Sequence, residues 1–219
     1  MPWTKEKALA TIREVGIIPI VRTPSTDDAF RAAEAILSVG IGIAEVTMTV
    51  PDALRVLEGV AKRFGDEVLL GAGTVLDAKS CDAAIAAGAE FIVTPSLELS
   101  VIETAKRLNK TCIPGALTPT EVVAAWRAGA DMVKIFPCGP AGGPAYIKAL
   151  RGPLPNIEYV PTGGVTLETT PAYFKAGAAA VAVGGELVDL KALQAGNMDV
   201  IVSTARRFLE AVRAGRAAH

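Results

Sequence analysis

Four times along the 219-residue chain, a helix-like segment ends at a glycine and runs straight into a β-like stretch. The phrases are Val-Gly-Ile-Gly-Ile-Ala-Glu-Val, Ala-Gly-Ala-Glu-Phe-Ile-Val, Ala-Gly-Ala-Asp-Met-Val and Ala-Gly-Ala-Ala-Ala-Val. Their glycines, Gly40, Gly88, Gly129 and Gly177, stand 48, 41 and 48 residues apart. Each interval holds two strand–helix units, so the phrases open strands 2, 4, 6 and 8. The eight strands are apolar runs over 17–22, 41–48, 68–72, 90–93, 111–113, 157–160 and 179–183, and the stretch from Gly129 to Pro137. Amphipathic segments over 5–15, 51–64, 77–87, 97–108, 144–150, 167–176 and 198–214 supply helices. Thr26-Asp27-Asp28 caps a further helix running to Val39. Thr118-Pro119-Thr120-Glu121 forms a capping box opening another, to Ala128. Eight even β/α alternations predict a closed (β/α)8 TIM barrel with a short N-terminal helix, as a single domain over 1–219. No GxGxxG follows the first strand, which argues against a dinucleotide-binding sheet.

Hydrophobic residues make up 51% of the chain but aromatics only 5%, so the core is built from small aliphatics packed between sheet and helices. The formal net charge of -1 gives no reason to expect nucleic acid or an anionic membrane as partner. No apolar run is long enough for a membrane span. The start, Met-Pro-Trp-Thr-Lys-Glu-Lys, is polar and lacks a signal-peptide core. Cys81, Cys112 and Cys138 are odd in number without CxxC spacing, so a cytoplasmic location is expected, with Cys81 and Cys112 in the core and Cys138, near the site, as a packing residue or bystander. The only histidine is His219, which removes Ser-His and Cys-His catalysis and His-rich metal sites. Chemistry must then come from Lys, Glu, Arg, hydroxyls and backbone, with no metal and no cofactor.

Lys134 stands in the middle of Met132-Val133-Lys134-Ile135-Phe136, an otherwise apolar strand. Burial favours the neutral amine, a nucleophile toward carbonyls. Strand parity puts Met132, Lys134 and Phe136 on one face, and Ile43, Glu45 and Thr47 on one face of strand 2. The purely apolar faces meet the helices, so Lys134 and Glu45 both point into the lumen. A lysine and a carboxylate there suit Schiff-base chemistry with a proton shuttle. A structural ion pair, a phosphosugar isomerase or epimerase with Glu45 as base, and a non-catalytic sugar-acid binder are the competing readings. The active end of a barrel lies at the strand C-termini. There Gly163-Gly164 and Gly184-Gly185 follow strands 7 and 8, where backbone N–H groups commonly build an anion site. Arg22 ends strand 1, placed to clamp a carboxylate. Arg206, Arg207, Arg213 and Arg216 read as a solvated helix face.

Six segments together resemble the KDPG/KHG aldolase family, in order and over nearly the whole chain: Glu45-Val46-Thr47, Gly71-Ala72-Gly73-Thr74-Val75, Phe91-Ile92-Val93-Thr94-Pro95, Pro114-Gly115 with Thr118-Pro119-Thr120-Glu121, Val133-Lys134-Ile135-Phe136-Pro137 and Val160-Pro161-Thr162-Gly163-Gly164-Val165. These are class I aldolases acting on 2-keto-3-deoxy-6-phosphogluconate and 4-hydroxy-2-oxoglutarate. The resemblance implies a small-molecule 2-keto acid substrate, a Schiff base on Lys134 and proton transfer by Glu45. It implies that Thr74 lies near the pyruvate portion, that Pro95 and Phe136 form an apolar wall, and that Thr162, Gly163 and Gly164 form the anion turn. A homotrimer is implied as well. Two positions depart from the family pattern. Thr47-Met48-Thr49 lacks the arginine that some members carry there, which passes the carboxylate role to Arg22. Glu186 follows Gly184-Gly185 where a serine is common.

Overall fold

The structure, a computed structural model, describes residues 3–217. Met1, Pro2 and the sole histidine, His219, lie outside the described residues. Six parallel strands form one sheet: β1 (Ile17–Val21), β2 (Ile43–Thr47), β3 (Leu69–Gly73), β4 (Phe91–Val93), β5 (Thr111–Ile113) and β9 (Val181–Val183). Their order is β5-β4-β3-β2-β1-β9. A second parallel sheet holds β6 (Gly115–Ala116), β7 (Val133–Ile135) and β8 (Tyr159–Pro161) in the order β6-β7-β8. All eight expected strands are present, the fifth as Thr111–Ile113, and the short β6 follows it as an unexpected ninth strand beyond Pro114, which has no N–H to give a ladder. The expected ring is therefore observed as a parallel half-barrel of six strands beside a three-stranded sheet. The two adjoin twice: β5 and β6 are separated only by Pro114, and Thr162 pairs with Ala182 just beyond β8.

Ten α-helices occupy the described residues: α1 (Lys5–Val15), α2 (Thr26–Leu37), α3 (Ala53–Phe64), α4 (Ala78–Ala86), α5 (Leu99–Arg107), α6 (Pro119–Ala128), α7 (Pro144–Arg151), α8 (Thr170–Lys175), α9 (Leu190–Gln194) and α10 (Met198–Arg216). Gly40, Gly88, Gly129 and Gly177 all have positive φ, so each repeat phrase is a left-handed turn from helix into strand. The capping box of α6 forms as expected. The cap of α2 is Ser25, one residue before the expected Thr26, because its hydroxyl accepts the Asp28 N–H at 3.1 Å. Helix α9 was not expected. Five residues are too few to show an apolar period, and its visible signal is Asp189, whose carboxylate accepts from Lys191 and Ala192.

Every residue of every strand is buried. One face meets the helices and the other the lumen, as a parallel sheet requires. Helix α1 is tied to the N-terminal strand ends. Lys5 pairs with Asp131 at 2.8 Å, and Arg13 makes two 2.8 Å hydrogen bonds to Glu158; both acids precede their strands. Arg206, Arg207 and Arg213 are exposed as expected. Arg216 is not part of that solvated face. Its guanidinium donates to the Arg13 and Glu14 carbonyls and lies over the Phe174 ring, clasping α10 to α1. No described helix is long and apolar enough to cross a membrane.

Candidate active site

Strand β7 carries Lys134 between Gly115 of β6 and Val160 of β8. Its apolar neighbours Val133 and Ile135 are fully buried, and Lys134 itself is 3% exposed. The Nζ atom lies 5.1 Å from the centre of the Phe136 ring. Glu45 sits mid-strand in β2, in register between Ile20 and Gly71, and is 1% exposed. Among the described residues its Oε2 has no hydrogen-bond partner. Neither residue joins an ion pair among the described residues. Burial dominates both titrations. It pushes the Lys134 ammonium down, opposed by Glu45 and reinforced by Arg22. It pushes the Glu45 carboxyl up, opposed by Lys134 and Arg22. The environment thus favours an uncharged amine and a protonated carboxyl, the forms needed to attack a carbonyl and donate a proton.

A cavity of about 350 Å³ opens over Lys134. It gathers Arg22, Phe136, Thr162, Gly163, Gly164, Gly184 and Gly185, all expected at the site, and Glu186. The Thr162–Gly164 turn is held against the loop after β7: Thr162 N–H donates to Ile135 at 2.9 Å, Cys138 N–H to Thr162 at 2.8 Å and Gly139 N–H to Gly163 at 2.7 Å. None of these bonds uses the amides of Gly163 or Gly164. Both have left-handed φ, and a Cβ on Gly164 would stand 2.9 Å from the Gly139 Cα. After β9, the Gly184 carbonyl accepts from Leu187 and Val188, both at 2.9 Å, which folds the second glycine pair over the cavity. Burial pushes the Cys138 thiol up to about 11, in keeping with a packing role. Among the described residues, no three His, Cys, Asp or Glu side chains are grouped to hold a metal ion.

A profile described as "KDPG and KHG aldolase" matches residues 9–204. The chain belongs to the KDPG and KHG aldolase family. It is 31% identical to the 2-dehydro-3-deoxy-phosphogluconate aldolase of Haemophilus influenzae over 97% of this chain and 100% of that one. It is 37% identical to the 2-dehydro-3-deoxy-6-phosphogalactonate aldolase of Escherichia coli over 78% of this chain and 83% of that one. The Legionella pneumophila KDPG aldolase, solved with pyruvate captured as a covalent carbinolamine, superposes with a TM-score of 0.82 at 29% identity, covering 90% of this chain and 96% of the other. This chain is an aldolase, a carbon–carbon lyase.

Five residues expected at the aldolase's site do not line the cavity. Glu45 lies out of its wall. Thr47 is fully buried, with its Oγ1 3.4 Å from the Val21 carbonyl and 2.8 Å from the hydroxyl of exposed Thr49. Thr74 is half-buried with φ +59, an unusual backbone for a β-branched residue. Half-buried Pro95 backs onto Gly115, where an added Cβ would stand 2.4 Å from the Pro95 carbonyl carbon. Conversely Ile20, Val165, Ala182, Val183, Val188 and Leu190 line the cavity and were not anticipated. Ile20 was within reach of parity, being two residues before Arg22. Val188 and Leu190 follow the last strand and carry no local signal.

Proposed function

We propose that this aldolase cleaves a 2-keto-3-deoxy sugar acid through a Schiff base on Lys134. The observation that carries the reading is a buried amine, held toward its neutral form, opening into a cavity edged by Arg22 and two glycine turns. The Lys134 amine attacks the C2 ketone. Glu45 gives its proton to the carbinolamine hydroxyl, which leaves as water and yields an iminium. The Glu45 carboxylate then accepts the C4 hydroxyl proton. The C3–C4 electrons pass to the iminium, the aldehyde leaves, and an enamine remains. Protonation at C3 and addition of water release pyruvate and restore the amine. Arg22 holds the C1 carboxylate, and Gly163-Gly164 with Gly184-Gly185 receive the far end through backbone N–H groups.

The lead substrate is 2-dehydro-3-deoxy-6-phosphogluconate, giving glyceraldehyde 3-phosphate, with 4-hydroxy-2-oxoglutarate cleavage to glyoxylate as a side activity. The 6-phosphogalactonate epimer is the alternative that shares the same tail. Glu186 favours a second reading: its carboxylate at the cavity edge repels a phosphate dianion, which suits an unphosphorylated tail. The test is borohydride trapping with pyruvate. One adduct on Lys134, absent from Lys134→Met, is expected; no adduct, or an unchanged adduct in the variant, overturns the reading. Comparing kcat/KM for the phosphorylated and unphosphorylated acids then separates the two tails.

In this reading the two sheets act as one closed (β/α)8 barrel in a single domain, supported by the Pro114 junction and the Thr162–Ala182 pairing. It assembles as a homotrimer in the cytoplasm, and light scattering on the purified chain tests the assembly.

A further inference from the structure

Strand β3 offers the lumen two positions without side chains, Gly71 and Gly73, two residues apart on one face. Neither needs the left-handed backbone region, so their role is not conformational. Both vacancies are filled. At Gly71 an added Cβ would stand 2.1 Å from the Phe91 ring. At Gly73 it would stand 1.9 Å from Glu45 Oε1, 2.6 Å from Cδ and 2.9 Å from Cγ. Yet Gly73 is not Glu45's partner in the ladder: Glu45 pairs with Gly71, and Thr47 pairs with Gly73. The glutamate therefore leans two residues along the barrel, toward the strand C-termini. Phe91, itself in register with Gly71, fills the position directly opposite Glu45.

We infer that Gly73 is a positioning residue: its missing side chain is the seat of the Glu45 carboxylate, and Phe91 in the Gly71 vacancy keeps that carboxylate at the active end. This rests on the Schiff-base reading for its catalytic consequence, but the steric part stands without it. Among the described residues no hydrogen bond holds Oε2, so shape rather than bonding sets where the carboxyl lies. A Cβ at Gly73 displaces the carboxyl by more than a bond length, and a misplacement of that size lowers kcat about 10²-fold.

The test uses the full chain as Gly73→Ala, Glu45→Ala and the double, with pyruvate methyl-proton exchange in D2O, aldol cleavage of the phosphogluconate-derived acid, and thermal melts. Gly73→Ala is expected to lower kcat and the exchange rate about 10²-fold, with KM within about threefold. In the Glu45→Ala background the same change should cost less than about threefold in the residual exchange rate, because no side-chain atom beyond Cβ is left to meet Gly73. Equal losses in both backgrounds, or a Gly73→Ala enzyme with wild-type kcat, overturn the inference. If Gly73→Ala does not fold, Glu45→Ala/Gly73→Ala must regain the melting temperature of Glu45→Ala; failure to do so overturns it too. Absence of a pyruvate adduct in the wild type would sink the Schiff-base reading while leaving this stability cycle to be read.

Discussion

Asp131 and Lys134 stand three residues apart, and their surroundings are opposite. At the N-terminal strand ends, Asp131 is saturated. One oxygen meets Lys5 at 2.8 Å and the other accepts the Cys112 N–H at 2.9 Å. Further along the strands, Lys134 and Glu45 are more deeply buried, yet among the described residues neither joins an ion pair and Glu45 Oε2 has no hydrogen-bond partner. Charges that hold a fold together are paired and hydrogen-bonded; charges kept for chemistry are desolvated and left unspent. The lower end is stable because its groups are satisfied. The upper end is reactive because its groups are not.

Lys134→Met breaks the comparison most severely. It should lower kcat at least about 10⁴-fold. At the same time the melting temperature should hold or rise, because a desolvated amine without an ion partner is removed. Retained turnover, or a collapse in melting temperature with it, would make Lys134 a structural residue like Asp131. Asp131→Ala is the converse. It strands Lys5 and the Cys112 N–H and should cost about 2 kcal/mol in urea unfolding, with kcat unchanged.

The pH dependence of stability sharpens the contrast. Burial raises the Glu45 pKa above its ordinary 4.5. Between that value and the raised one, the folded protein holds a proton that the unfolded chain has lost. Stability from this group is thus full below 4.5 and is lost as pH rises through the folded value. Glu45→Gln should remove that loss, with a difference of up to about 1.4 kcal/mol per pH unit in urea-derived stability across the window. A flat difference curve would mean that Glu45 titrates like a surface acid. The smallest effect is expected from Arg22→Gln. It should raise KM about tenfold, and shift the pH dependence of pyruvate trapping upward, since Arg22 disfavours the Lys134 ammonium. An unshifted trapping profile would remove Arg22 from the lysine's surroundings.

Much of this contrast was legible in the chain. An apolar strand with one lysine in it announces burial of an amine, and period-two parity sends Glu45 to the lumen. The paired glycines after strands 7 and 8 announced a turn without side chains. Other parts were not legible, for physical reasons. Thr47 shares Glu45's strand face, but its hydroxyl lies against the Val21 carbonyl and Thr49 rather than at the cavity. Arg216 looks like its exposed neighbours in sequence and is bound to α1 carbonyls some 200 positions away. Val188 and Leu190 enter the cavity because the chain after β9 folds back over it.

By itself the sequence determined the alternation of eight strands with helices, the left-handed glycine turns between them, the burial of Lys134 and the family of aldolases to which the chain belongs. The first three follow from local pattern, because side-chain period, turn chemistry and apolar content act over a few residues; the family follows from the resemblance of six motif segments and the family match over residues 9–204. Only the tertiary structure decided which buried charges are satisfied, where Pro114 interrupts the sheet, and that Glu45 rests on Gly73 rather than on its ladder partner Gly71. Those depend on distances across a lumen between strands far apart in the chain, and no local pattern encodes the space that one strand leaves for the side chain of another.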